Sequence, residues 1–292
     1  TYVRCRVSGR SVSQAVVTAI ALGEDGRKRL VGLDCVDTES YGDWRAFLAS
    51  IRARGLSGLV LCVSDAHAGL TRALSEVFQG VAWQRCTVHL QRDVSRAVKR
   101  RAGERVVREL AKAVFAEGDA LVARALYPRA CDAIRAAGEA AAADVLEGAA
   151  GDAQQYLSLP REHWARVRTN NVQERANREI KRRYRSVQAF PSRESLLRLV
   201  GAVMLEEEDG WAHNRVFSPE SAARAWEAPG APAPDGALAR AITEPPSCGY
   251  QTSGARVLTP GSLCLSASLR LPEGAPKLDG TLPVGRHPPA RD

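Results

Sequence analysis

Long apolar runs are missing from this sequence of 292 residues, and no stretch reaches the length needed to cross a membrane. No signal-peptide pattern precedes the first predicted strand. Disulfide-type cysteine spacing is missing too, because the seven cysteines are odd in number and widely separated. Cys5, Cys35 and Cys62 lie in β-like runs, as small buried residues do. We therefore expect a protein of a reducing cytoplasm with no membrane partner.

Lysine is scarce, with 5 lysines against 36 arginines. The formal net charge is +8, yet residues 216–292 carry seven basic and seven acidic side chains. All of the excess positive charge therefore lies in residues 1–215, where we look for a polyanionic partner. Arginine suits bidentate contacts with phosphate, although so high a ratio is also typical of a GC-rich genome.

Proline is sparse until residue 215 and abundant afterwards, since residues 216–292 hold twelve of the fifteen prolines. No apolar period is visible in that final region. This composition predicts a disordered tail over residues 227–292.

Residues 1–88 alternate between strand and helix patterns. Strands are predicted over 1–7, 12–22, 28–36, 59–63 and 81–86, with helices over 43–54 and 66–78. The first three strands are joined by tight turns and form an antiparallel meander. The order βββαβαβ describes a mixed α/β sheet with a crossover helix, which is also the core order of ribonuclease H-like folds.

The pattern then becomes helical. Residues 89–160 carry no strand signal and are punctuated by glycines into short helices, so we interpret them as a helical insertion. Residues 161–226 are predicted to return to the core, with helices beginning near Asn170 and over 195–208. The predicted organisation is therefore a core in two parts, 1–88 and 161–226, interrupted by the insertion and followed by the tail.

Asp65 ends the apolar strand at residues 59–63 and precedes a helix. Functional sites in open α/β sheets form at this edge. Aspartate is also a preferred helix N-cap, so a capping role and a functional role both remain open for Asp65.

Glu174 lies in the first turn of a helix that the cap-type residues Thr169 and Asn170 introduce. Val172, Ala176, Ile180 and Tyr184 recur at a spacing of four and predict the buried stripe, from which Glu174 points away. Most charge runs are solvated surfaces. Here only two acids offset six basic residues, which favours phosphate contact. These basic residues are Arg175, Arg178, Lys181, Arg182, Arg183 and Arg185.

Several motifs together resemble the Mutator-type transposases of bacterial insertion sequences. The resemblance covers residues 1–220 in the order of the family and does not extend into the tail. Its motifs are Gly32-Leu33, Glu39-Ser40, Trp44, Arg54-Gly55-Leu56, Ser64-Asp65-Ala66-His67-Ala68-Gly69-Leu70, Trp83-Gln84-Arg85-Cys86-Thr87-Val88-His89, Thr169-Asn170-Asn171-Val172-Gln173-Glu174-Arg175, Lys181-Arg182-Arg183 with Phe190-Pro191, and Arg198-Leu199-Val200.

The resemblance implies a DDE transposase with a ribonuclease H-like catalytic core. Three carboxylates would hold two Mg²⁺ or Mn²⁺ ions for the cleavage and joining of DNA strands. By resemblance, Asp65 is the second acid and Glu174 the third. The implied partners are transposon ends and target DNA, with a homo-oligomer when the protein is intact, and the implied location is the bacterial nucleoid.

The first acid of the family would fall two residues before Thr1, where the printed sequence has not begun. Asp34 and Asp37 are poor substitutes, because they end the third strand. The family's N-terminal DNA-binding region is not in the sequence either. We therefore expect an N-terminally truncated fragment that is inactive as given. The alternatives are a non-catalytic DNA-binding remnant of the same fold or, less favoured by the motif spacing, a ribonuclease H-like nuclease or resolvase.

Three further residue types complete the candidate site. Cys86 and His89 have the spacing of half a zinc site, but no second Cys/His pair has suitable spacing. The resembled family shares this signature, and by that resemblance we interpret both residues as structural support near the site. Trp164 is a candidate for stacking on DNA by resemblance to related transposases, with a core aromatic as the alternative. His67 either contacts phosphate or caps the following helix.

Overall fold

The computed structural model describes residues 1–7, 9–101 and 103–227, together with the backbone of residues 263–269. These residues form a helix-rich mixed α/β fold. None of the described helices has both the length and the apolar character of a membrane span. The predicted disordered tail, residues 227–292, lies outside the described residues apart from Glu227 and one strand.

The first three strands form the predicted antiparallel meander. They are β1 (Tyr2–Val7), β2 (Arg10–Gly23) and β3 (Lys28–Val36). β2 pairs with both of its neighbours. Gly26, in the turn before β3, has a φ of 74°, which a residue without a Cβ adopts at no steric cost.

The next four elements complete the predicted order βββαβαβ. They are α1 (Tyr41–Ala53), β4 (Leu61–Ser64), α2 (Ala68–Val77) and β5 (Ala82–Arg85). A capping box between Ser40 and Asp43 begins α1, and Gly55, with a φ of 98°, follows its end. β4 and β5 are parallel, so their carboxyl ends meet at one edge of the sheet.

The sheet is continuous through a strand from the C-terminal region. The backbone of β6 (Leu263–Leu269) runs parallel to β2 and antiparallel to β4. The resulting strand order is β1-β2-β6-β4-β5, with β3 paired on β2.

The described part of residues 89–160 is helical, as predicted, and the helical segment extends over residues 87–167. Its core merges with the sheet, because buried residues of its helices pack in one cluster with Val60, Leu61 and Val63 next to and within β4. The buried Gln84 side chain of β5 adds polar ties to the main chain at Ala153 and Tyr156. The α-helices are α3 (Thr87–Arg96), α4 (Glu104–Ala116), α5 (Ala120–Ala136), α6 (Ala140–Glu147), α7 (Ala150–Ala153) and α8 (Trp164–Val167), with 3₁₀ turns over Gln155–Ser158 and Arg161–His163.

Three helices close the described chain: α9 (Asn171–Val187), α10 (Arg193–Ala212) and α11 (Pro219–Ala223). Residues of α9 and α10 pack with Val16 and Ile20 of β2, whereas α1 and α2 pack with Val17 and Ala19. Successive residues of a strand face opposite sides of its sheet. β2 is therefore buried on both faces, and α9 lies over the face to which Thr18 also belongs.

Candidate active site

Asp65 follows the last residue of β4 at the carboxyl edge of the sheet. The N-cap of α2 is His67, whose Nδ1 accepts a hydrogen bond from the Leu70 amide at 3.3 Å. Of the alternatives left open by the sequence, capping therefore belongs to His67. The Asp65 carboxylate is free of that task and faces the neighbouring β5–α3 junction.

His89 brings the candidate acids together. Its Nδ1 lies 2.7 Å from Asp65 Oδ1, and its Nε2 lies 3.5 Å from Glu174 Oε1. Asp65 and Glu174 are more than a hundred residues apart in the chain, yet they flank opposite nitrogens of one imidazole ring. The two carboxylates therefore converge at one edge of the sheet.

Asn170 connects the two sides of this cluster. Its side chain is fully buried, its Nδ2 donates to Asp65 Oδ1 at 2.8 Å, and its Oδ1 accepts from Cys86 Sγ at 3.0 Å. Although Asn170 is the N-cap residue of α9, its side chain makes no capping hydrogen bond. The helix begins here as predicted, but the Asn170 amide holds Asp65.

Gln173 provides a second connection between α9 and the sheet. The residue is fully buried, and its side-chain amide donates a hydrogen bond to the hydroxyl of Thr18 on β2. Glu174 is the next residue of the helix. Asn170 and Gln173 therefore fix the first turn of α9 against β4 and β2, which sets the position of the Glu174 carboxylate.

The Asp65 and Glu174 carboxylates lie beside cationic side chains, and one Glu174 oxygen is left without a hydrogen-bond partner among the described residues. Contact with the Asp65 carboxylate, and then with Cys86, raises the pKa of His89 to about 10, so the ring is an imidazolium between carboxylates. Arg92 Nη1 lies 3.6 Å from Glu174 Oε1. Even so, the buried atom Glu174 Oε1 has no partner in hydrogen-bonding geometry among the described residues. An oxygen-rich site of this kind fits a divalent cation held by Asp65 and Glu174.

Asp34, Asp37 and Trp164 make contacts outside this cluster. Asp37, which directly follows β3, is engaged by Arg193 and Gln14. Burial raises the pKa of Asp34 to about 6. Trp164 is only 7% exposed, and its ring packs edge-on against Tyr156, as the core alternative describes. Trp164 presents no open ring face to DNA in this conformation, and its proposed DNA contact stays a prediction.

The basic residues of α9 form an exposed face. Arg175, Arg178, Lys181 and Arg185 point to solvent on the helix that begins at the site. The remaining two predicted DNA contacts already have acidic partners, since Arg182 pairs with Glu179 and Arg183 pairs with Glu206. We call the first four of these residues the α9 basic face.

Comparison with known proteins gives the family. A profile described as "Transposase, Mutator family" matches residues 1–214. The chain belongs to the Mutator family of transposases. It is similar to the transposase for insertion sequence element IS1081 of Mycobacterium tuberculosis, with 35% identity over 214 residues, 73% of this chain and 51% of the relative. The IS406 transposase of Burkholderia multivorans is 35% identical over 74% of this chain and 55% of its own length. The IS256 transposase in transposon Tn4001 of Staphylococcus aureus is 32% identical over 73% and 54%.

This Mutator-family chain spans about half the length of the curated relatives that it matches. The matched residues contain the whole candidate site. Sequence reasoning identified Asp65, Glu174, Cys86 and His89, but it missed the polar contacts of Asn170 and Arg92. Arg92 had a usable signal, because it lies one helical turn beyond His89 and such residues share a helix face. The role of Asn170 depends on three separate segments and left no local pattern.

Proposed function

We propose that this chain is the catalytic region of a DDE transposase with a ribonuclease H-like core, acting on DNA by metal-dependent phosphoryl transfer. The observation that carries the proposal is the convergence of Asp65 and Glu174 around His89. The element order βββαβαβ supports the fold assignment. We also expect a homo-oligomer for the intact protein.

Asp65 and Glu174 are the residues that would hold Mg²⁺ or Mn²⁺. Bound divalent ions would supply charge stabilisation at the attacking and leaving oxygens of a phosphoryl displacement. Asn170 orients the Asp65 carboxylate by its hydrogen bond. Arg92, with half of its side chain exposed beside Glu174, is positioned to meet a DNA phosphate that enters the site.

The register of β1 supports the location of a third acid. Tyr2 pairs with Ala15 in an antiparallel ladder, and Thr1 exchanges backbone hydrogen bonds with Val16. A residue two positions before Thr1 would therefore lie opposite Thr18 if the strand continues in register. Directly opposed residues of an antiparallel pair share a face of the sheet. That side chain would face α9, beside Gln173 and Glu174.

DNA is the partner that the charge distribution supports. The α9 basic face begins within one turn of Glu174, so a backbone bound there would lead into the site. Phosphate contacts of this kind need no metal. A polypeptide of residues 1–292 holds two of the three implied acids, and we therefore propose that it binds DNA without cleaving it.

The test is Mg²⁺-dependent nicking of DNA that carries the ends of the element. Residues 1–292 are compared with the same chain extended by Asp-Ala before Thr1, and each is also made with Asp65→Asn. We expect DNA binding by all four proteins and nicking by the extended chain alone. Two carboxylates offset the charge of two divalent ions less well than three do. The nicking rate of residues 1–292 should therefore be several orders of magnitude below that of the extended chain.

Robust nicking by residues 1–292 that Asp65→Asn abolishes would contradict the inactive state and show that another acid fills the first position. In that case Glu39 is the first residue to test by mutation, since its carboxylate lies 3.8 Å from His67 Nε2. DNA binding by both chains with nicking by neither would favour the alternative of a non-catalytic remnant.

A further inference from the structure

The β5–α3 junction carries a ligand set that differs in chemistry from a magnesium site. A carboxylate oxygen of Asp65, Sγ of Cys86 and a ring nitrogen of His89 all lie within 4.8 Å of one another. Cys86 precedes α3 as its N-cap, and His89 lies one turn into the helix. The sequence offered only the Cys86/His89 half of a metal site, and folding adds the third donor from the end of β4.

We propose that Asp65, Cys86 and His89 together bind a single divalent cation that accepts sulfur ligands, such as Zn²⁺. Thiolate and imidazole are ligands that Zn²⁺ accepts and Mg²⁺ avoids. Three protein ligands leave a fourth tetrahedral position for water or a phosphate oxygen.

The geometry requires little change. Tetrahedral zinc with ordinary bond lengths separates its ligand atoms by roughly 3–4 Å, which is within the spread found here. Only the 2.7 Å contact between Asp65 Oδ1 and His89 Nδ1 must open slightly. The metal would take the place of the proton between His89 Nδ1 and the Asp65 carboxylate, which already lie side by side.

Access also favours this site. Cys86 is fully buried, but the Asp65 and His89 side chains are 39% and 26% exposed, so a cation can enter over them. Binding releases the thiol proton of Cys86 and the Nδ1 proton of His89 to solvent.

The consequence for activity rests on the proposed function. Zn²⁺ held here takes the Asp65 carboxylate that the proposed reaction needs for Mg²⁺. The cation would therefore act as an inhibitor that competes at a shared ligand while leaving the α9 basic face open to DNA.

The direct test is titration of reduced, metal-free residues 1–292 with CoCl₂, followed by displacement with ZnCl₂. Co²⁺ bound to a thiolate has a near-ultraviolet charge-transfer band, which Zn²⁺ should remove at one equivalent. Cys86→Ser should abolish the band, and His89→Gln should weaken binding at least about 100-fold, the upper range for loss of a supporting residue. Cys131→Ala is the matched control, because Cys131 is a buried cysteine in α5.

Circular dichroism establishes that each variant is folded. Absence of the band in the folded parent chain, or its survival in Cys86→Ser, would overturn the inferred site. Inhibition is measured as the ratio of nicking with and without ZnCl₂ in the chain extended by Asp-Ala. A cobalt band together with no nicking in any protein would contradict the proposed function and leave the metal site standing.

Discussion

At the scale of single residues, the side chain of Asn170 determines how the site is assembled. It hydrogen-bonds to Asp65 and to Cys86 from a third segment of the chain, and it is fully buried. Asn170 is the N-cap of α9, and its amide contacts both Asp65, at the end of β4, and Cys86, at the β5–α3 junction. Positioning of Asp65 is therefore a property of the tertiary fold.

Asn170→Ala should destabilise the protein. The substitution leaves the buried Cys86 thiol and the partly exposed Asp65 carboxylate without their amide partner, which costs about 1–3 kcal/mol of unfolding free energy. For a domain of this size each kcal/mol corresponds to about 2–4 °C in melting temperature. Asn171→Ala is the control, since Asn171 is exposed in the first turn of α9. Equal melting temperatures for the two variants would show that the amide carries no stability.

Asp34 and Asp37 should respond to pH with opposite signs. Burial raises the pKa of Asp34 to about 6, above its unfolded value of 3.8, so the folded state favours the protonated form. Asp34 therefore costs stability once the pH has risen through about 6. Asp34→Asn should raise the free energy of unfolding at pH 7.5 by on the order of 1 kcal/mol, given the partial exposure of Asp34. The variant should therefore melt at a higher temperature than the parent at pH 7.5, and this gain should vanish by pH 4.

Asp37→Asn is the matched comparison for that titration. Hydrogen bonds from Arg193 and then Gln14 lower the pKa of Asp37, so its stabilisation is present above pH 3.8 and is lost as the pH falls. The variant should be slightly less stable than the parent at pH 7.5. A stabilising effect of Asp37→Asn, or none from Asp34→Asn between pH 4 and pH 7.5, would contradict the assignment.

At the scale of elements, α9 combines two tasks on one helix. Its first turn is fixed to the sheet by Asn170 and Gln173, and its exposed surface carries the α9 basic face. The period of the sequence predicted this helix and its face, because apolar residues at a spacing of four leave the basic residues outward. Its buried stripe was predicted less well, since the amide of Gln173 is buried while Val172 and Tyr184 are partly exposed.

Reversing charges on the α9 basic face should weaken DNA binding strongly. The triple variant Arg175→Glu, Arg178→Glu and Lys181→Glu removes up to three phosphate contacts, and each contact contributes about 0.9 to the slope of log affinity against log salt. The control carries the same change in charge at Lys112, Arg124 and Arg129, which are exposed on α4 and α5. Equal losses for the two triple variants, measured by fluorescence anisotropy, would mean that net charge alone attracts DNA.

At the scale of the whole molecule, positive charge and candidate chemistry lie in the same part of the chain. Residues 216–292 are neutral by count, and the family match ends at residue 214. A chain of residues 1–227 should therefore bind DNA with an affinity within about twofold of residues 1–292 and with the same salt slope. Circular dichroism is the control, because the deletion also removes β6 from between β2 and β4. A clear loss of affinity in a folded protein would assign DNA contacts to the tail.

Local patterns predicted the elements of this molecule, but long-range pairing was beyond them. Alternation, turn residues and apolar stripes placed the seven elements of residues 1–88 within a few residues of their observed bounds. Sequence reasoning missed β6, although Leu263, Leu265, Ala267 and Leu269 alternate with less apolar residues. That alternation marks a strand but does not say that it pairs with β2 and β4. Asp65 and Glu174 could be paired in advance only through resemblance to a family, since no spacing rule joins segments a hundred residues apart.

Because α9 is one continuous helix, it fixes the distance between the residues at its two ends. Glu174 and Arg185 stand on one continuous helix, eleven residues apart, so they are separated by about 16 Å along its axis. Successive phosphates of one DNA strand advance by about 3.4 Å along the duplex, so that span corresponds to roughly five nucleotides. A backbone engaged at Arg185 is thereby registered against the carboxylate at the other end. Under the proposed function, the length of α9 would then set the number of nucleotides between the bound phosphate and the strand break.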